Sequence, residues 1–377
     1  MNKFHTNITV YEMENFKDFV ESFKIKKGDF ILTQRLLYEN YMKSSNLDCE
    51  YLFYEDYPGG DSEPTEDKLN EILKDLSQDV KRIIAIGGGS VLDTAKILSI
   101  KDAKSVLDIF EEKIPLIRNK ELILIPTTCG TGSEMDGIVA VYLNKFGSKI
   151  GKGIDSMVPD ASILIPEFLK TLPFKNFMYN SVDALAHNME IYLSPLNHAF
   201  SNVFCAEGTR LIVRNYKRII DKGPEERLNH LKEFLRASAY GGIGLSHNTC
   251  GAVHACSMYF GGVHHTPHGL TNSLFLGPVM KLYAKKAPEG TFLKDLAKII
   301  CTEMEIEADT KGTFKALDKM IDSILPREKL RTFGMPADSS YKYAQNVLDP
   351  NRQKRILDNN YVSLSVEEVA NLFDELY

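Results

Sequence analysis

Asp183 and His187 lie four residues apart in a stretch, residues 180–190 (NSVDALAHNME), that reads as helical. Four residues is about one helical turn, so the carboxylate and the imidazole share a face and can chelate one divalent ion. An exposed Asp–His pair on a helix surface would read the same from spacing alone. The histidine distribution adds weight to the first reading. Of the nine histidines, five fall between His247 and His268. Among these, His254 sits in a helix-like segment, residues 251–260, and His268 follows Thr266 and Pro267 and precedes Gly269. A lone histidine in an apolar helix is usually a packed core residue, but packing does not explain so dense a cluster. Three imidazoles and one carboxylate satisfy a tetrahedral ion such as Zn²⁺, and suit Fe²⁺ with open positions. Spacing alone does not bring the two clusters together in space.

A second constellation is rich in glycine and hydroxyl groups. Gly87, Gly88, Gly89 and Ser90 follow the strand-like run 82–86 (RIIAI) and open a helix-like run. Glycines let backbone approach a ligand closely, and the first helical N–H groups are free to bind an anion. The run is not the GxGxxG fingerprint, because Leu92 closes the hexad, and a structural turn remains open. A similar junction follows residues 121–125 (ELILI): PTTCGTGSE, residues 126–134, with Thr127, Thr128, Thr131 and Ser133 as hydroxyl groups. Ligands of open α/β sheets bind at the carboxyl ends of parallel strands. Two such rims on neighbouring strands could grip a pyrophosphate and the ribose beside it.

The elements that must position these groups follow from periodicity. Strand-like runs at 29–33, 49–54, 82–86 and 121–125 alternate with helix-like ones, including 90–99 and the spacing of Leu69, Ile72, Leu73 and Leu76 after Pro64 and Thr65. That alternation predicts a Rossmann-like α/β domain with a parallel sheet. Residues 138–143 and 149–154 predict a hairpin appended to that sheet. Beyond Thr171 the apolar residues recur at spacings of three and four, as in Leu293, Leu296, Ile299 and Ile300, and Pro173 interrupts the chain. We therefore expect an α/β domain over residues 1–173 and an all-α, metal-binding domain over 174–377. No internal repeat or low-complexity tract is present.

Bulk properties exclude other classes. The chain has 377 residues, 44% hydrophobic and 25% charged, ordinary globular values. A net charge of −6, from 45 basic and 51 acidic residues, gives no broad attraction to nucleic acid or to an anionic membrane. No run reaches the roughly 20 apolar residues that span a bilayer. Residues 1–10 lack the apolar core of a secretory signal. Six scattered cysteines without a CxxC pair argue against a disulfide framework. A cytoplasmic location is expected.

Taken together, GGGSVLDTAK (87–96), PTTCGTGSE (126–134), DALAHNME (183–190) and HACSMYFGGVHHTPHG (254–269) resemble the iron-containing alcohol dehydrogenase family. The likeness covers nearly the whole chain. It implies a dinucleotide-binding N-terminal domain and a helical metal-binding C-terminal domain, with the active site in the cleft between them. The implied metal ligands are Asp183, His187, His254 and His268, for Fe²⁺ or Zn²⁺. The implied NAD contacts are Gly87, Gly88, Gly89 and Ser90 at the pyrophosphate, with Asp93 in the same motif, Thr127, Thr128 and Thr131 at the nicotinamide ribose, and Lys149 as a further contact. GDFILT, GGGSVLDTAKILS, NKELILIPTTCGTGSE and NSVDALAH are most similar to members of fermenting anaerobes that interconvert 4-hydroxybutyrate and succinate semialdehyde. The expected reaction is hydride transfer between NAD(H) and such a short alcohol or aldehyde. Members acting on 1,3-propanediol, lactaldehyde or butanol are the alternative. A dehydroquinate-synthase-like lyase shares the architecture, but its motifs are missing here. A non-catalytic nucleotide-binding module would not need the ligand quartet. A homodimer is open.

Two positions depart from the family pattern. Many members carry an acidic residue after the first strand, where it bonds the adenosine ribose; here Gln34 and Arg35 stand there. An arginine can accept a 2′-phosphate, so NADP is not excluded and only a modest preference for NAD is expected. Many members also have a histidine four residues after the ligand at His254, where this chain has Met258. A thioether cannot relay protons, which leaves water, ribose hydroxyls and threonines, or His264 and His265 as substitutes. His264 is also a candidate partner for a substrate carboxylate.

Overall fold

The computed structural model describes residues 4–60, 63–77, 79–196, 198–350 and 356–377. The chain divides into two compact units, His5–Leu172 and Pro173–Tyr377, with Phe4 grouped with the second.

The first unit is built on a six-stranded sheet. Its strands are β1 (Thr9–Glu12), β2 (Asp29–Thr33), β3 (Glu50–Phe53), β4 (Arg82–Gly87), β5 (Glu121–Pro126) and β8 (Ala161–Leu164), in the order β1-β8-β5-β4-β2-β3. Every pairing is parallel. Alternation of side chains explains why the interiors of the central strands are apolar, with polar residues only at their ends. Phe30, Leu32, Ile83, Ala85, Leu122 and Leu124 enter one core, and Ile31, Ile84, Ile86, Ile123 and Ile125 enter another. Both faces are covered, as parallel sheets require. Strands β1 and β8 escaped the sequence reading: each has four residues, β1 is exposed along its length, and neither carries the aromatic-rich run that marked the equally short β3. The expected hairpin forms as β6 (Ile138–Leu143) and β7 (Ser148–Gly153), but as a separate two-stranded sheet.

Local signals set the helices. Thr65 caps Glu66–Asp75 by accepting the Lys68 N–H. The helix Gly89–Leu98 begins directly at the glycine run, with Gly88 as N-cap and no side-chain cap.

The second unit is helical, with no strand among its described residues. Leu293, Leu296 and Ile300 line the buried stripe of Thr291–Met304, with Ile299 half-buried at its margin. Phe174–Leu193 buries fourteen of its 20 residues and so lies in the interior, able to carry polar groups only if they are satisfied there. Among the described residues, no helix is long and apolar enough to cross a membrane.

Candidate functional site

Three helices converge on one group of donors in the second unit. Phe174–Leu193 supplies Asp183 and His187, Ala252–His264 supplies His254, and His268 is the first residue of His268–Lys286, after Pro267. One donor atom of each lies within 4.8 Å of the others. Asp183 Oδ1 is the hub: the Nε2 atoms of His187, His254 and His268 stand 3.8, 3.6 and 3.6 Å away. Such separations are too long for direct hydrogen bonds. They approach the edges of a coordination polyhedron, about 3.4 Å for a tetrahedron with bonds near 2.1 Å. Asp183, His187 and His254 are buried, and His268 is partly open.

The electrostatics call for a cation. Burial alone would raise the Asp183 carboxyl, but His187, His268 and His254 drive it far below the carboxylate range. Burial opposes charge on His254, yet Cys250, Asp183 and Glu190 hold its pKa well above the ordinary imidazole value. His187 is raised as well: burial opposes its charge, and Asp183 and Cys250 together outweigh it. Cys250 runs the other way: burial would raise the thiol, while His254 and His187 bring it below its ordinary value. Positive charge therefore gathers where these lone pairs meet, and an ion binding there would release protons.

Asn272 provides a second test of fit. Its Nδ2 donates to Asp183 Oδ1 at 2.6 Å and lies 3.2 and 3.1 Å from Nε2 of His254 and His268. Its Oδ1 is buried without a partner. The amide N–H thus sits among one carboxylate oxygen and two imidazole Nε2 atoms, and a divalent ion that displaced their protons would meet the same three atoms with full charge. The donor set fits Fe²⁺ or Zn²⁺.

Two residues escaped the sequence reading. Glu190 accepts His254 Nδ1 at 2.7 Å and the backbone N–H of Val253 at 2.6 Å, and is itself buried. A carboxylate on Nδ1 fixes the imidazole tautomer that leaves Nε2 as the donor. Glu190 follows His187 by three residues, a helical neighbour, but its partner His254 is 64 positions away. Asn272 follows His268 by four, the same spacing that singled out Asp183 and His187. The remaining candidates lie outside the quartet. His264 Nε2 is 2.9 Å from Tyr343 Oη, its ring packs on Phe260, and burial lowers its pKa. His265 is exposed in the left-handed C-cap of the same helix. Met258 is half-buried on that helix.

In the first unit, the glycine run and the threonine loop form one rim. A Cβ on Gly89 would come 2.9 Å from Thr131 Cγ2, and one on Gly88 would come 3.4 Å from Thr128 Cγ2. Gly87 packs on Val91, and its carbonyl accepts the Thr127 N–H at 3.0 Å. None of the three glycines has a left-handed φ, so close approach and not conformation requires them. Gly89 and Ser90 start the helix, where backbone N–H groups lack intrahelical acceptors. Asp93 holds the rim from behind, accepting Ser133 Oγ at 2.6 Å and the Ala140 N–H at 3.1 Å. Buried Lys96 donates to Ser133 Oγ, Asp136 Oδ1 and the Ile138 carbonyl, each at 2.8 Å. Glu134 is buried with neither carboxylate oxygen hydrogen-bonded, and burial pushes its carboxyl up to about 7. Lys149 on β7 pairs with Glu63 at 2.8 Å. Gln34 follows β2 and occupies the N-cap position of Arg35–Leu37, without a side-chain capping bond.

Comparison with known proteins agrees with this arrangement. The family described as iron-containing alcohol dehydrogenase matches residues 8–166, and its C-terminal region, described as Fe-containing alcohol dehydrogenase family, C-terminal, matches residues 177–377. A 4-hydroxybutyrate dehydrogenase of Clostridium kluyveri is 38% identical over 369 residues, covering 98% of each chain. Among solved structures, a 1,3-propanediol oxidoreductase has a TM-score of 0.83 at 18% identity and covers all of both chains. A sulfoacetaldehyde reductase from Bifidobacterium kashiwanohense, in complex with NAD⁺, has the same TM-score and identity over 100% of this chain and 98% of its own. The two structural likenesses speak for the fold. With both halves of the chain matched and a close relative aligned end to end, this chain belongs to the iron-containing alcohol dehydrogenase family and is an oxidoreductase.

Proposed function

We propose that the chain interconverts 4-hydroxybutyrate and succinate semialdehyde with NAD(H), using a divalent ion held by Asp183, His187, His254 and His268. The observation that carries the chemistry is the convergence of these four donor atoms within 4.8 Å. The substrate rests on the 38% identity to the Clostridium kluyveri enzyme. In this reading the helical unit, residues 174–377, holds the metal, and the sheet unit, residues 1–173, holds the dinucleotide. Support for NAD comes from the rim of Gly87, Gly88, Gly89 and Ser90 beside Thr127, Thr128 and Thr131, and from the NAD⁺ bound by the sulfoacetaldehyde reductase of this fold. Lys149 belongs to the same set of proposed contacts. The reading includes a cytoplasmic location, which six free thiols support, and a homodimer, which sedimentation tests.

When bound, the ion supplies a Lewis acid that polarises an aldehyde oxygen or lowers the pKa of an alcohol. The chain's own residues do the rest. Asp183 and three imidazoles fix the ion's place, and Glu190 keeps His254 in the productive tautomer. Gly88 and Gly89 let the pyrophosphate approach backbone N–H groups, and the threonines bond the ribose. The protein sets the distance for hydride transfer and excludes water, while the cofactor carries the redox change. Met258 takes no part in proton transfer. His264 is engaged by Tyr343, which favours a route through water, ribose hydroxyls and threonines over a relay by His264 or His265.

A panel of short aldehydes and ω-oxo acids, assayed with NADH and NADPH on Fe²⁺-loaded protein, tests the reading. Succinate semialdehyde should be reduced with a higher kcat/KM than butanal. Equal turnover of the two at low concentration would contradict the substrate assignment.

A further inference from the structure

The strand order reverses between β2 and β4. From β2 the chain moves outward to β3, and from β4 it moves the other way to β5. In open parallel sheets a ligand lies across the carboxyl ends at such a point. With the pyrophosphate at the turn after one strand, the adenosine ribose reaches the end of the neighbouring strand. Here the turn is Gly87, Gly88 and Gly89 after β4, and the neighbouring end is Thr33, followed by Gln34 and Arg35. Thr33 Oγ1 donates to the Ile86 carbonyl at 2.9 Å and ties the two ends together.

Gln34 carries no charge, and an unengaged Arg35 would welcome a 2′-phosphate. Arg35 is engaged. Its Nε donates to Asp56 Oδ1 at 3.0 Å and its Nη2 donates to Asp56 Oδ2, a two-pronged pairing. Its backbone N–H donates to Glu55 Oε1 at 2.6 Å, and its guanidinium carbon lies 4.3 Å from the centre of the Phe53 ring. Strand register produces the encounter. Thr33 stands opposite Phe53, so Gln34 and Arg35 emerge beside the turn Tyr54–Asp56. Two carboxylates against one guanidinium leave the corner net negative. Glu55 Oε2 is buried and has no hydrogen-bond partner, an acceptor without a donor.

We infer that Glu55 and Asp56 are specificity-determining residues, which supply from the end of β3 the discrimination against NADP that Gln34 at the end of β2 does not. The inference rests on the reading of this sheet edge as the dinucleotide site. A 2′-phosphate could recruit Arg35 only by pulling it from Asp56, and would then face two carboxylates. A 2′-hydroxyl carries no charge to repel and needs only an acceptor, which the exposed Asp56 carboxylate offers. An exposed ion pair contributes little to stability, but its bidentate geometry is the kind that holds, and its work here is to occupy the guanidinium. Preference for NAD is then larger than Gln34 alone would give.

Dissociation constants for NADH and NADPH, from quenching of cofactor fluorescence, test this without turnover. The ratio of the NADPH constant to the NADH constant should fall by about ten- to a hundredfold in Asp56→Asn combined with Glu55→Gln, as Arg35 becomes available to phosphate. Adding Arg35→Ala to Asp56→Asn should reverse the fall seen with Asp56→Asn alone. A ratio that stays within about twofold of the starting protein in every variant, with NADH still bound, overturns the inference and spares the dinucleotide reading. Failure of the unsubstituted protein to bind either cofactor overturns both.

Discussion

Two buried carboxylates, one in each unit, are pushed in opposite directions. Asp183 of the helical unit faces three imidazoles and is held far below the carboxylate range. Glu134 of the sheet unit lies just after the threonine loop, has no hydrogen-bond partner, and is raised to about 7. Burial penalises both alike, so the neighbours decide the protonation state. The contrast extends to how each site is built. The helical unit gathers ionisable side chains whose donor atoms converge, and in the proposed function removing one should weaken the ion's binding directly. The sheet unit defines its rim with backbone and hydroxyl groups, and there the damaging change is added bulk.

The largest effect should come from breaking the convergence itself. Asp183→Ala removes the hub, and activity should fall by ~10³-fold or more, the scale of a lost Lewis acid. Metal analysis should find the bound ion lost as well. An Asp183→Ala protein that keeps its ion and its rate would erase the distinction between the two carboxylates.

Glu134 sharpens the comparison through pH. Its carboxyl rises from an ordinary 4.5 to about 7 in the fold, so it favours the folded state below 4.5 and loses that contribution as pH rises through 7. The loss is on the order of 3 kcal/mol at most. Glu134→Gln, uncharged at every pH, should lack it. Urea midpoints at pH 5 and pH 8 measure the effect: the unsubstituted protein should drop more than the variant. Parallel drops would mean that Glu134 finds a partner when ionised.

Glu190 comes next. Glu190→Ala should weaken ion binding by roughly ten- to a hundredfold, as outer-shell partners of histidine ligands do, and Glu190→Gln should weaken it less. Titration of the apoprotein with Co²⁺, read by its visible bands, reports this apart from turnover. Unchanged affinity in a folded Glu190→Ala protein would reduce Glu190 to a packing residue.

The smallest effect belongs to the rim. Gly89→Ala would crowd Thr131, and a displacement costing about 1–2 kcal/mol should raise the KM for NADH roughly tenfold, with metal content untouched. A change in metal content instead would show that bulk at the rim is felt in the other unit.

What was legible in the sequence follows the range of each signal. The central strands declared themselves because both faces are buried and their interior residues are all apolar. The four-residue strands β1 and β8 are too short to show a period and lack the aromatic run that gave away the equally short β3. One helical turn separates Asp183 from His187, a spacing visible in the sequence, and the apolar spacing switches near Pro173, where the main segment of the second compact unit begins. Glu190 and Asn272 lay at equally suggestive spacings. Their roles depend on partners supplied by other helices, which no local pattern encodes. The grip of Asp56 on Arg35 depends on the register of β2 against β3, and Gln34 read alone pointed to weak cofactor discrimination.

The central claim is that the quartet holds the one ion on which turnover depends. Protein prepared without oxygen and stripped by a strong chelator can be titrated with Fe²⁺ while NADH oxidation by succinate semialdehyde is followed. The rate should climb from near zero and break at one Fe²⁺ per chain, with no such rise in Asp183→Ala. Full activity in the stripped protein, or an unchanged titration in the variant, would contradict the account.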